Sequence, residues 1–133
     1  MMTDVVLLDA NVLIALSFAD HVHHRPVTQW LGDVREFATT PNVQGALVRF
    51  AMRVATPTHA IDLIELLVSH PRHQFWADET QFSRHLMRGV VGHRQVTDAY
   101  LAEVAASRGN KLATFDRGLQ LLRPQVVELI PID

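Results

Sequence analysis

Three aspartates stand where carboxylates can do chemistry. Asp9 closes the apolar run "DVVLLD", Asp116 closes "LATFD", and Asp98 lies in "VTDAYL" at the start of a long helical repeat. Short runs of Val and Leu with no alternation read as buried parallel strands. Each strand therefore delivers its Asp to the carboxyl edge of a sheet. A helix that leads back into a strand starts near that same edge, so Asp98 joins the other two. Carboxylates gathered in this way repel one another, and either their pKa values rise or a cation neutralises them. Oxygen donors without His or Cys suit Mg²⁺ or Mn²⁺. Such a site can activate water and stabilise a leaving oxygen in phosphodiester hydrolysis. Each residue also has a plain structural use. Asp9 can cap the helix "ANVLIAL", Asp98 can complement a helix dipole, and Asp116 can open the turn "DRGL".

The elements that must position these acids alternate along the chain. After the first strand, "NVLIALSFA" repeats at helical spacing and "DHVHHRP" breaks it. "VTQWLGDV" predicts a second short helix with Val27, Trp30, Leu31 and Val34 on one face. "EFATTP" is a brief strand and stop, followed by a helix from about Pro41 to near Val54. Gln44, a neutral amide, sits in the first turn of that helix, where partial positive charge favours Asp or Glu. Thr58 is placed to cap "HAIDLIELLVSH". A strand is expected at Gln74 to Ala77, and a helix over "TQFSRHLMRG" ending at Gly89. Thr97 is read as the N-cap of the next helix, which Arg108-Gly109 ends. "KLATFD" and "VVELIP" are the last two strands. Alternating strands and helices predict an open parallel sheet covered on both faces, an α/β/α sandwich, with its site beyond the carboxyl ends of the strands.

The totals agree with one domain. The chain has 133 residues, 48% of them hydrophobic and 20% charged, enough apolar content for a core. A net charge of −2 excludes a generally basic nucleic-acid coat but leaves room for a local basic groove. The absence of cysteine rules out disulfides and thiolate metal sites and fits a reducing cytoplasm. No apolar stretch approaches a membrane span, and "MMTDVVLLD" lacks the basic segment of a secretory leader.

"LLDANVLIAL", "TTPNVQGALVRF", "HPRHQFWADE" and "GHRQVTDAYLAEVAASRGNKLATFD" resemble, in order and over almost the whole chain, a PIN-domain protein, closest to the VapC-type toxins of bacterial toxin–antitoxin pairs. The resemblance implies a single PIN domain over residues 1–133, a three-layer α/β/α sandwich with a central, mostly parallel sheet. It also implies a Mg²⁺- or Mn²⁺-dependent endoribonuclease with a four-acid site. Asp9, Asp98 and Asp116 match the first, third and fourth acids and would hold the metal. Asn11 and Thr114 match small polar residues that support them. The second acid is a Glu in the first turn of the helix after "ATxP", and here that place is Gln44, with Arg49 fixing the register. Gln can offer a neutral oxygen but no charge, so weaker metal binding is expected. The alternative reading is therefore a catalytically impaired PIN module that binds antitoxin or RNA without efficient cleavage.

The resemblance further implies a cognate VapB-like antitoxin whose helix docks over the toxin groove, an RNA substrate and a homodimer. Arg49 and Arg53, one helical turn apart, and His93 and Arg94, just before "QVTD", are candidates for RNA or antitoxin contact. Arg84 and Arg88 extend the second basic stretch. His21, His23 and His24 share one loop and could bind a transition metal, but surface structure or packing is the expectation.

Overall fold

The structure is a computed structural model that describes residues 3–132. β1 (Thr3–Leu8), β2 (Val34–Thr39), β3 (His73–Phe75), β4 (Lys111–Thr114) and β5 (Val127–Leu129) form one sheet in the order β3-β2-β1-β4-β5. Every neighbouring pair is parallel. The central strand β1 buries Val6, Leu7 and Leu8 completely, which is why its sequence does not alternate.

Helices α1 (Ala10–Ser17) and α2 (His24–Leu31) link β1 to β2, and α3 (Pro41–Val54) and α4 (Pro57–Val68) link β2 to β3. The chain then returns past β1 through α5 (Arg84–Met87) and α6 (Val96–Ser107) to β4, and α7 (Arg117–Leu122) leads on to β5. Right-handed crossovers running in opposite directions along a sheet place their helices on opposite faces. The packing follows: α1 lies against α2 and α3, and α3 against α4, whereas α6 lies on β1, β4 and α5. The result is the expected α/β/α sandwich. Strand order reverses between β1 and β4, and a crevice opens at such a switch point. Among the described residues no helix is long and apolar enough to cross a membrane.

Several boundaries differ from the sequence reading, each for a local reason. The second helix starts at His24 and ends at Leu31; Val34 belongs to β2, where it pairs with Thr3. Thr56, not Thr58, caps α4, accepting from the His59 N–H at 3.2 Å. Pro57 takes the first helical position, where its missing N–H has no cost. Residues 93–95 form a 3₁₀ turn that runs into α6, so Thr97 lies inside the first turn and Gln95 stands at the cap position. The stretch read as a helix from Thr80 to Gly89 is helical only over Arg84–Met87, capped by the Ser83 hydroxyl. Its earlier residues are held outside a helix, with Phe82 laid flat on Tyr100. β3 ends at Phe75, before the buried Trp76, and β5 is confined to Val127–Leu129. "DRGL" opens the helix α7 rather than a turn alone, because the Asp116 side chain accepts from the Leu119 N–H. α6 ends where Arg108-Gly109 predicts. Gly109 takes φ 69°, a left-handed conformation that glycine adopts without strain.

Candidate active site

The edge formed by the carboxyl ends of β1 and β4 gathers the three predicted acids. Asp9 follows β1 and is buried. Its Oδ1 accepts from the Ala10 N–H at 2.6 Å, so the residue caps α1, and its Oδ2 accepts from the Thr114 hydroxyl at 2.7 Å. Thr114, fully buried at the end of β4, also accepts from the Asp116 N–H at 3.1 Å. One hydroxyl thus ties the acid of β1 to the acid of β4. Asp116 is exposed and caps α7 through Oδ1, 3.1 Å from the Leu119 N–H. A Cβ on Gly118 would come within 3.1 Å of that same oxygen, so the glycine keeps the carboxylate unobstructed. Asp98, half-buried in the first turn of α6, shares a small cavity of about 70 Å³ with Asp116, Gln95, Gly118, Leu119 and Leu122.

Electrostatics identify the three as one group. Asp98 is pushed up to about 6, first by burial and then by the charges of Asp9 and Asp116. Asp9 is also raised, chiefly by burial and in small part by Asp116, although its bonds to Thr114 and Ala10 oppose the shift. Carboxylates gathered about one crevice with two of them raised make a candidate functional site, and a cation would remove the repulsion. Among the described residues no set of three or more His, Asp or Glu side chains is already drawn together as ligands. In donor chemistry the group fits a hard divalent cation: oxygen only, anionic and facing a crevice.

Gln44 stands on the same edge, in the first turn of α3, and is half-buried. Its Nε2 donates to the Thr39 hydroxyl at 3.0 Å, and that hydroxyl lies 2.7 Å from His73 Nε2. The first turn of α3 contains no acid. The charge complement comes instead from Asp78, in the loop after β3, whose Oδ2 accepts from the Asn42 N–H at 3.1 Å. Asp78 Oδ1 accepts from the Tyr100 hydroxyl at 3.1 Å. Neither Asp78 nor the Thr39–His73 pair was singled out from sequence. The available signal was the placement of Asp78 just past a strand, on the edge that carries the other acids.

The remaining candidates are distributed around this centre. Asn11 is exposed in the first turn of α1 and makes no side-chain hydrogen bond among the described residues, in contrast to Thr114. Arg49 and Arg53 are exposed on α3, with Arg49 folded back so that Nη1 lies 3.5 Å from where a Gly45 Cβ would stand. His93 and Arg94 are exposed in the 3₁₀ turn before α6. Arg84 and Arg88 are exposed on and after α5. The three loop histidines have protein partners. His21 Nδ1 accepts from the His23 N–H at 3.0 Å, His24 Nδ1 is 2.9 Å from the Ala15 carbonyl, and the His23 ring packs on Phe115.

This sheet order, with acids after β1 and β4 and at the start of α6, is accompanied by a direct match: the family model of the PIN domain fits residues 6–123. The chain belongs to the PIN-domain family. Its sequence is 50% identical over 128 residues to Ribonuclease VapC29 of Mycobacterium tuberculosis, covering 95% of this chain and 96% of the relative. It is 38% identical over 124 residues to Ribonuclease VapC39 of the same organism, covering 85% and 89%. Within the family it therefore groups with the VapC ribonucleases. The fold also matches the crystal structure of Mycobacterium tuberculosis VapC20, described as a sarcin-ricin loop cleaving toxin, with a TM-score of 0.71 at 17% identity, covering 95% and 99% of the two chains. VapBC2 from Rickettsia felis, bound to a DNA fragment from its promoter, matches with a TM-score of 0.66 at 11% identity over 96% and 99%.

Proposed function

We propose that this chain is the toxin of a VapBC-type pair and cleaves RNA internally with the help of Mg²⁺ or Mn²⁺. The observation that carries the reading is the convergence of Asp9, Asp98 and Asp116 on one crevice, with the pKa of Asp98 raised to about 6 by burial and by the other two acids. Asp9, Asp98 and Asp116 would hold the cation. When bound, the cation supplies activation of water and charge for the phosphate oxygens. Thr114 orients Asp9 through its hydroxyl, and the Ala10 N–H fixes the other oxygen. Gln44 commits its amide nitrogen to Thr39 and contributes at most a neutral oxygen towards orienting water. Arg49, Arg53 and Arg94, all exposed around this edge or on the helix that leads from it, would neutralise RNA phosphates, and the exposed His93 would offer a hydrogen bond.

A VapB-like antitoxin is the proposed partner. An apolar groove of about 240 Å³ between α1, α2 and α4, lined by Leu16, Leu31, Leu63, Leu66 and Leu67, offers an amphipathic helix a seat. Homodimerisation in the cytoplasm completes the reading. The decisive experiment incubates purified protein with structured RNA, with Mn²⁺ or Mg²⁺ and with EDTA. Metal-dependent internal cleavage is expected, and matched DNA should survive. Equal cleavage with and without metal would sink the carboxylate-site mechanism. The silent-module alternative has Gln44 in its favour, but relatives up to 50% identical are named ribonucleases, which favours the active reading.

A further inference from the structure

Beside the acidic crevice lies a separate pocket of about 310 Å³, lined by Asn42, Asp78, Thr80, Phe82, Thr97 and Tyr100. Its size is at the lower end of small-ligand pockets, which run from about 300 to 1,000 Å³. It adjoins the proposed reaction centre through the chain itself: Thr97 is the residue before Asp98, and Asn42 is two before Gln44. One wall is aromatic. Phe82 lies nearly parallel to Tyr100, with 15° between the planes and centroids 5.5 Å apart. Tyr100 is buried, but Phe82 is 50% exposed. One face of the ring is turned to Tyr100, and the exposed half of Phe82 lines the pocket. The opposite feature is a carboxylate held in place. Asp78 is fixed by the Asn42 N–H on one oxygen and the Tyr100 hydroxyl on the other, and each oxygen retains a lone pair.

Phe82 covers Tyr100, yet half of its own surface stays in contact with water. An open aromatic face next to an oriented acceptor pair is the equipment that reads an unstacked base. We infer that this pocket receives one unpaired nucleobase of the RNA beside the cleaved phosphate. Phe82 stacks on the base, and Asp78 accepts from its Watson–Crick edge. Guanine fits best, since it presents two adjacent N–H donors, whereas adenine and cytosine present one amino group and uracil a single ring N–H. Asn42 and Thr97 supply further polar contacts at the rim. The inference rests on the ribonuclease reading and adds to it the residue-level source of sequence preference.

The test uses the full chain in EDTA, so that binding is read without cleavage. Short single-stranded RNAs carrying one guanosine, inosine or adenosine in a uridine background are titrated by fluorescence anisotropy. The wild-type protein should prefer guanosine to inosine, which lacks the amino group. Phe82→Ala should weaken binding about tenfold, the scale of one lost base stack, and Phe82→Tyr should restore it. Asp78→Asn should erase the preference for guanosine over inosine. Thermal melts of each variant separate lost recognition from lost folding. In parallel, photocrosslinking of 6-thioguanosine RNA should label the Phe82 peptide. Wild-type-like affinity and preference in a folded Phe82→Ala protein would overturn the pocket, while metal-dependent cleavage by the same protein would leave the ribonuclease reading intact. Failure of the wild-type chain to bind or cleave any RNA would remove both.

Discussion

The Gln44 amide donates to the Thr39 hydroxyl at 3.0 Å, and the same hydroxyl meets His73 Nε2, so the three side chains form one chain. Thr39, accepting from Gln44, is free to give its own proton to His73 Nε2 at 2.7 Å. His73 is held neutral by burial and, secondarily, by its neighbour His70, so its unprotonated nitrogen can accept. A carboxylate at position 44 could not donate. The Thr39 proton would turn towards it, and His73 Nε2 would have to carry a proton of its own. The amide is thus matched to its neighbours rather than merely tolerated.

Gln44→Glu should therefore raise the pKa of His73, since a protonated imidazole would complete the reversed chain beside a new negative charge. An NMR titration of the His73 ring reads this directly. The same variant should bind Mn²⁺ more tightly and cleave RNA at least several-fold faster. Unchanged cleavage would mean that Gln44 already suffices.

Asp9→Asn should abolish metal-dependent cleavage and any growth inhibition on expression. An amide oxygen can still accept from Thr114 or Ala10, so the fold should survive at a cost of about 1 kcal/mol. Circular dichroism and thermal melts would separate the two effects. Full activity in a folded Asp9→Asn protein would refute the assignment of the site.

Thr114→Val removes the hydroxyl that serves both Asp9 and the Asp116 N–H. Because that hydrogen bond lowers the Asp9 pKa, the variant should raise it further. Stability should fall by about 1–2 kcal/mol, and the rise in melting temperature on adding Mn²⁺ should shrink. Calorimetric scans with and without metal measure both.

Asp98 makes the metal-free protein sensitive to pH. Its folded pKa, about 6, exceeds the ordinary aspartate value of 3.8, so the folded state holds the proton more tightly than the unfolded chain. The group's contribution is therefore most favourable below about 4 and is lost as pH rises through about 6. After allowance for solvent screening of a half-buried group, the effect is on the order of 1–2 kcal/mol. In EDTA, Asp98→Asn should be more stable than wild type at pH 7.5 and lose that advantage near pH 4. Urea melts at several pH values would show a gap that does not close if the idea is wrong. Adding Mn²⁺ at pH 7.5 should stabilise wild type more than the variant.

The acids were legible in the sequence because each closes a strand or opens a helix, and sheet geometry does the rest. Asp9 and Asp116 needed only the rule that sites lie at carboxyl ends. Asp78 follows the same rule, but its part is set by its partners, the Asn42 N–H and the Tyr100 hydroxyl, which lie 36 and 22 positions away and leave no mark in local spacing. Phe82 was hidden because its segment scored as helix, while the structure uses it as an extended cover over Tyr100. Helix starts were misplaced at Thr58 and Thr97 because the true starts depend on Pro57 and on a 3₁₀ lead-in, local effects that hydrophobic periodicity does not carry. The hydrogen-bond chain through Thr39 joins β2, α3 and β3, and no spacing along the sequence reveals it.

The Thr114–Asp9 bond joins residues 105 positions apart. During synthesis Asp9 leaves the ribosome well before its partners on β4 and at the start of α7. Until β4 docks against β1, the first acid lacks its orienting hydroxyl and its neighbouring charge. The centre is therefore assembled late, and no chain that lacks β4 holds Asp9 in its bonded position. The crevice acquires its three charges together, as one product of the completed sheet.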